Sequence, residues 1–250
     1  MKSIVAEARY IFPDLPDINE VFRCLAGSYL YNLNTEKSDR DYKVFVSDAL
    51  PKKKLFLSKS LDLDIRPLTE LPELLFLPDI NFWAMLFTPE LITDSKAVKE
   101  LFELRDEITR MDLPGLYKTT LDKLNVKIGR LKNPVISELA EFKKLDYFNK
   151  FGYDTKEAMH AYRLLDLLER FHSTDFTNFK GSLRYEGEEK EFLLGITKGS
   201  LSLEEFLALY TAKEEKVKSL ERDFNNRRVD FSIKRKVERI IQDVFTECRN

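Results

Sequence analysis

The chain has 250 residues, 43% hydrophobic and 12% aromatic, with 41 Lys+Arg against 43 Asp+Glu for a net charge of -2. That length supports one large domain or two modest ones with a sizeable core, and the near-cancelling charge excludes a whole-surface attraction for nucleic acid. Two cysteines, Cys24 and Cys248, exclude a disulfide framework and a thiolate zinc site.

In chain order, residues 1–12 carry acid and base inside an apolar pattern. They read as a short helix stopped by Pro13 and Pro16, not as a signal peptide. Val21 to Ala26 is a strand leading into Gly27-Ser28, and Asp41 to Val46 is a second strand. Pro51 marks a turn, and Leu55 to Leu57 fits an edge strand. Residues 60–68, SLDLDIRPL, alternate Leu61, Leu63 and Ile65 with Asp62, Asp64 and Arg66, the period of two of a strand. From Pro67 onward the spacing becomes helical: 68–77, 81–87, 95–111, 116–131, 135–148, 154–171, 192–198, 203–223 and 231–248. Pro114-Gly115 separates two of these helices, and 173–190 reads as irregular. Strands first and helices after predict an α+β fold, with a small mixed sheet in residues 1–92 and a helical region in 93–250. No stretch reaches the roughly 18 apolar residues of a membrane helix, so a reduced, cytoplasmic protein without a membrane partner is expected.

The chemistry concentrates in Gly27 to Val46, GSYLYNLNTEKSDRDYKVFV. Residues two apart on a strand share a face, so Asp39 and Asp41 present neighbouring carboxylates. Two such charges repel unless a proton or a cation intervenes, and hard divalent cations prefer carboxylate oxygen. Gly27 permits close backbone approach to a phosphate, and Ser28 offers an amide and a hydroxyl to it. Nucleotidyl and phosphoryl transfer are catalysed mainly by positioning and charge stabilisation, commonly with two metals roughly 3.5–4 Å apart. A third carboxylate is needed from a neighbouring strand. Asp62 and Asp64 lie on one face of 61–66, and spacing alone does not choose between them.

Gly27-Ser28, Tyr31, Leu33 and Ser38-Asp39-x-Asp41 resemble the signature of the polymerase-beta-like nucleotidyltransferases. The branch most similar is the RNA-ligase-associated nucleotidyltransferases of bacteria and phages. Asn32 stands where that branch usually has Gly, and Asn tolerates left-handed backbone. LDLDIRPL resembles the family strand that supplies the third acid, which selects Asp64 and leaves Asp62 in reserve. At the position of a family Glu on the next helix this chain has Ala84. GYDTKEAMHAYRLLDLL, residues 152–168, resembles the family's GYDxKxxMHxxRLL helix and places Lys156, His160 and Arg163 at i, i+4 and i+7. A further likeness runs through 193–209.

The resemblance implies an enzyme that moves a nucleoside monophosphate from an NTP to a hydroxyl. Two Mg2+ ions (Mn2+ as substitute) would sit on Asp39, Asp41 and Asp64. Gly27, Ser28, Lys156, His160 and Arg163 would hold the nucleotide beneath a helical cap. The implied acceptor is an RNA end, tRNA or another 3' terminus, in repair or modification. A protein side chain is the alternative acceptor, and a non-catalytic nucleotide- or RNA-binding module with a relic site is the alternative class. Residues 225–239 are locally basic, which reads first as a solvated helix face and second as a track for RNA phosphates.

Overall fold

A computed structural model of the chain describes residues 18–47, 53–58, 61–132 and 147–249, with 53–58 as backbone only. The expected helix over 1–12 lies outside these residues, as do most of the helix over 135–148 and most of the turn around Pro51.

The fold is α+β, a mixed sheet followed by helices. The strands are β1 (Glu20–Leu25), β2 (Arg40–Val46), β3 (Lys53–Ser58), β4 (Leu61–Pro67) and β5 (Leu91–Ile92), in the order β3-β4-β2-β1-β5. Only β2 and β4 pair in parallel, with Asp41 opposite Asp62, Lys43 opposite Asp64 and Phe45 opposite Arg66. The alternation of LDLDIRP gives the sheet two different faces. Leu25, Tyr42, Val44, Val46, Leu63 and Ile65 form an apolar cluster on one. Asp41, Asp62, Lys43 and Asp64 occupy the other, ahead of a ring cluster. In that cluster Phe22 stacks on Phe45 at 4.7 Å, and Phe82 meets Phe45 edge-on at 6.5 Å. β4 ends at Pro67, where the alternating pattern gives way, and its last register pair is Val46 with Pro67.

The early helices are α1 (Gly27–Leu30), α2 (Leu71–Phe76), α3 (Ile80–Met85), α4 (Lys96–Glu103) and α5 (Arg105–Ile108). Asp79 caps α3 and Ser95 caps α4, each accepting from a backbone amide of the first turn. The single helix expected over 95–111 is broken at Leu104. Pro114 and Gly115 do not interrupt a helix but open α6 (Leu113–Arg130), where a missing proline N–H leaves no bond unmade.

The chain divides into two compact units, 1–112 with 229–250, and 113–228. The first unit therefore extends past the expected boundary at 92/93. α4 and the last helix, α12 (Phe231–Glu247), pack together in it, and Glu247 Oε1 accepts from Ala97 N at 3.1 Å. The second unit holds α6, α7 (Thr155–Ser173), α8 (Phe179–Leu183), α9 (Gly187–Thr197), α10 (Leu203–Ser219) and α11 (Glu221–Asn225). α7 is its centre: Ala158, Ala161, Leu164, Leu165, Leu167, Leu168 and Phe171 are all buried. Two helices, α8 and the start of α9, lie in the stretch expected to be irregular. No helix among the described residues is long and apolar enough to cross a membrane.

Candidate functional site

β1 runs antiparallel to β2, so its end arrives beside the start of β2. Ala26 N donates to the Asp41 carbonyl at 2.7 Å, which sets the next residue, Gly27, against the Asp41 side chain. Gly27 has φ +60, a conformation costly for any residue with a Cβ. A Cβ there would also lie 2.6 Å from Asp41 Cγ, inside the carboxylate's own space. Ser28 Oγ is buried and finds no hydrogen-bond partner among the described residues. Leu33 N closes the turn on Ser28 O at 2.8 Å, and Asn32 adopts φ 59, a left-handed conformation that Asn tolerates.

Asp39, Asp41 and Asp62 converge at the N-terminal ends of β2 and β4. One carboxylate oxygen from each lies within 4.8 Å of the others, and all three side chains are half-buried. Three converging carboxylates are the donor set of a hard divalent cation. The glycine keeps the space beside Asp41 free of a side chain, and the buried Ser28 hydroxyl is a donor without a partner among the described residues. The residues present therefore fit a cation with an anionic ligand.

Asp64 is not in this group, which corrects its choice over Asp62 as the third carboxylate. The cause is the parallel register. Asp62 sits opposite Asp41, while Asp64 lies one pleat further on, opposite Lys43. Asp64 Oδ2 there meets Lys43 Nζ at 3.4 Å and Arg66 Nε at 3.2 Å, and Arg66 continues to Glu70 Oε2 at 2.8 Å. Asp62, the reserve choice on the sequence, takes the third place, and Lys43 is the residue that sequence reasoning passed over. The signal for Lys43 was present, because it follows Asp41 by two on the same strand.

Arg40, between the two aspartates of the motif, turns to the other face. It donates to Tyr42 Oη at 2.8 Å and to Glu90 Oε2 at 2.6 Å, and Tyr42 Oη donates to Glu90 Oε1 at 2.6 Å. Burial, with the bond to Glu90, pushes the Tyr42 hydroxyl above its ordinary range against the opposing pull of Arg40. Cys24, on the carboxylate face, is fully buried, and burial drives its thiol up to about 12 against the lowering influence of Lys43. It is a packed apolar residue, not a nucleophile.

Lys156, His160 and Arg163 belong to the second unit and do not form one exposed strip there. Lys156 is exposed and His160 half-buried. Arg163 is 4% exposed within the packing of α7, and its carbonyl accepts from Tyr185 Oη at 3.4 Å. The physical reason is the apolar girth of α7, which leaves little of the helix to solvent. Asp154 caps α7, accepting from Glu157 N at 2.9 Å. His172 pairs with Asp223 at 2.8 Å and packs on Phe176 and Phe224, a structural setting. On α12, Arg235, Lys236 and Arg239 are exposed and Lys234 pairs with Asp112 at 3.2 Å. No protein-family model and no curated protein sequence matches this chain.

Proposed function

We propose that the first unit is a metal-dependent nucleotidyltransferase, transferring an NMP from an NTP to a hydroxyl acceptor, with an RNA end as the acceptor class. One observation supports this most directly. Three carboxylates meet at the start of a parallel strand pair, and a Gly-Ser turn with a buried orphan hydroxyl lies against one of them.

Asp39, Asp41 and Asp62 would hold the cation, one or two Mg2+ with Mn2+ as substitute. When bound, such ions supply charge stabilisation to phosphate oxygens. Gly27 admits the substrate close to the backbone, and Ser28 Oγ donates to a phosphate oxygen. In the transfer, the acceptor oxygen bonds to the α-phosphorus, the bridge to the β-phosphate breaks and pyrophosphate leaves. The hydroxyl proton passes to a carboxylate of the trio.

The full chain, incubated with Mg2+, each α-labelled NTP, and RNA or protein extract, is the test. Label entering RNA, and lost with Asp39→Asn or Asp41→Asn, is the expected result. Label entering protein instead replaces the acceptor. No transfer from any NTP to either material overturns the enzymatic function and leaves the nucleotide-binding module.

A further inference from the structure

The acidic trio has a cationic neighbour whose bonding is incomplete. Lys43 lies two residues beyond Asp41 on β2 and shares its face of the sheet. Its side chain is only 15% exposed. An ammonium carries three donors, yet among the described residues Lys43 Nζ has one acceptor, Asp64 Oδ2, at 3.4 Å. That distance exceeds the roughly 2.7–2.9 Å of a well-formed charge-assisted bond. Asp64 Oδ2 is shared with Arg66 Nε. The remaining support of Nζ is the ring of Phe82, whose centroid lies 4.2 Å away, an attraction that orients a cation without using its hydrogens. A largely buried ammonium with donors to spare is unfavourable unless something else accepts from it.

We propose that this something is a phosphate of the nucleotide: Lys43 rests on Asp64 and turns one pleat toward the Asp41–Asp62 pair to meet the phosphate oxygens of a triphosphate held there. Successive same-face residues on a strand are about 6.6 Å apart, a span within reach of a four-carbon lysine stem. Asp64 is then the resting partner that keeps Lys43 on this face when no anion is present, and Arg66, tied to Glu70, keeps Asp64 in place. This inference rests on the nucleotidyltransferase function proposed above and names a residue of it that contacts the substrate.

The test uses the full-length protein and calorimetric titration, first with Mn2+ alone and then with each of the four NTPs in the presence of Mn2+. Lys43→Met keeps the apolar stem over Phe82 and removes the charge. Lys43→Met is expected to weaken the best-bound NTP by about tenfold or more, the scale of a hydrogen bond to a charged group. Binding of Mn2+ alone should be unchanged or tighter, and Lys43→Arg should restore most of the NTP affinity. In the wild-type protein, NTP with Mn2+ should also slow acylation of Lys43 by an amine-reactive reagent, read by peptide mass spectrometry, which needs no variant to fold. NTP binding by Lys43→Met equal to wild type, no rescue by Arg, or no protection of Lys43 overturns the assignment while leaving the nucleotidyltransferase proposal standing. If the wild-type protein binds neither Mn2+ nor any NTP, both fall.

Discussion

Gly27 and Asp41 share a boundary with no room for a methyl group: a Cβ on the glycine would intrude on the carboxylate. The glycine is thus fixed by its φ of +60 and by its neighbour at once.

Gly27→Ala should therefore damage the site more than the fold. The left-handed conformation costs a non-glycine residue about 1–2 kcal/mol, a modest fall in melting temperature. The displaced Asp41 carboxylate should lower Mn2+ affinity by more than about tenfold. Calorimetry beside a thermal melt separates the two. Mn2+ affinity equal to wild type would mean that Asp41 is not a ligand.

Asp62→Asn and Asp64→Asn should behave differently although the two residues lie side by side on one strand face. Asp62→Asn should reduce Mn2+ affinity by more than about tenfold through loss of a ligand charge, with the melting temperature kept or raised as like charges separate. Asp64→Asn should lower the melting temperature, because it removes the counter-charge of two largely buried cations. Its effect on Mn2+ alone should be small. The opposite pattern would return Asp64 to the metal site.

These contrasts mark what the sequence makes legible. The Gly-Ser turn, the paired aspartates and the alternation in LDLDIRP are local patterns, and each appears where its period places it. The choice between Asp62 and Asp64 is not local. Both satisfy the same alternation, and only the parallel pairing of β4 with β2 sets one of them opposite Asp41. The fate of Arg163 is equally non-local. Helical spacing aligns it with Lys156 and His160, but burial of α7 on most sides depends on α6, α8, α9 and α10.

Arg163→Ala should accordingly destabilise the protein by about 2–3 kcal/mol, in the range of a buried truncation. Lys156→Ala, at an exposed position, should stay within about 0.5 kcal/mol. Urea denaturation of the two variants measures the difference. Equal stability with a loss of NTP affinity in Arg163→Ala would instead put Arg163 in the binding site.

Acid should weaken the second unit through Glu169. Burial would raise its carboxyl, but hydrogen bonds from Lys213 and Lys216 outweigh this and hold it below the usual 4.5. A carboxylate lowered in the folded state contributes stability above its unfolded value, and that contribution is lost as pH falls below about 4.5 through the folded value. Denaturation midpoints measured at neutral pH and near pH 3 should fall more steeply for wild type than for Glu169→Gln. Parallel curves would show that the pair with Lys213, at 2.5 Å, adds nothing to stability.

The return of α12 to the sheet-bearing unit has a topological consequence. The chain leaves the first unit after Asp112 and re-enters at Val229, and the two crossing points are bonded neighbours, with Asp230 N donating to Met111 O at 2.7 Å. The second unit is thus an insertion hung from adjacent stems, the arrangement in which an inserted domain can be excised or exchanged without unthreading its host. The first unit, by contrast, is completed by α12, which packs on α4 and α2. A lesion near the C-terminus should loosen the first unit and spare the inserted helices.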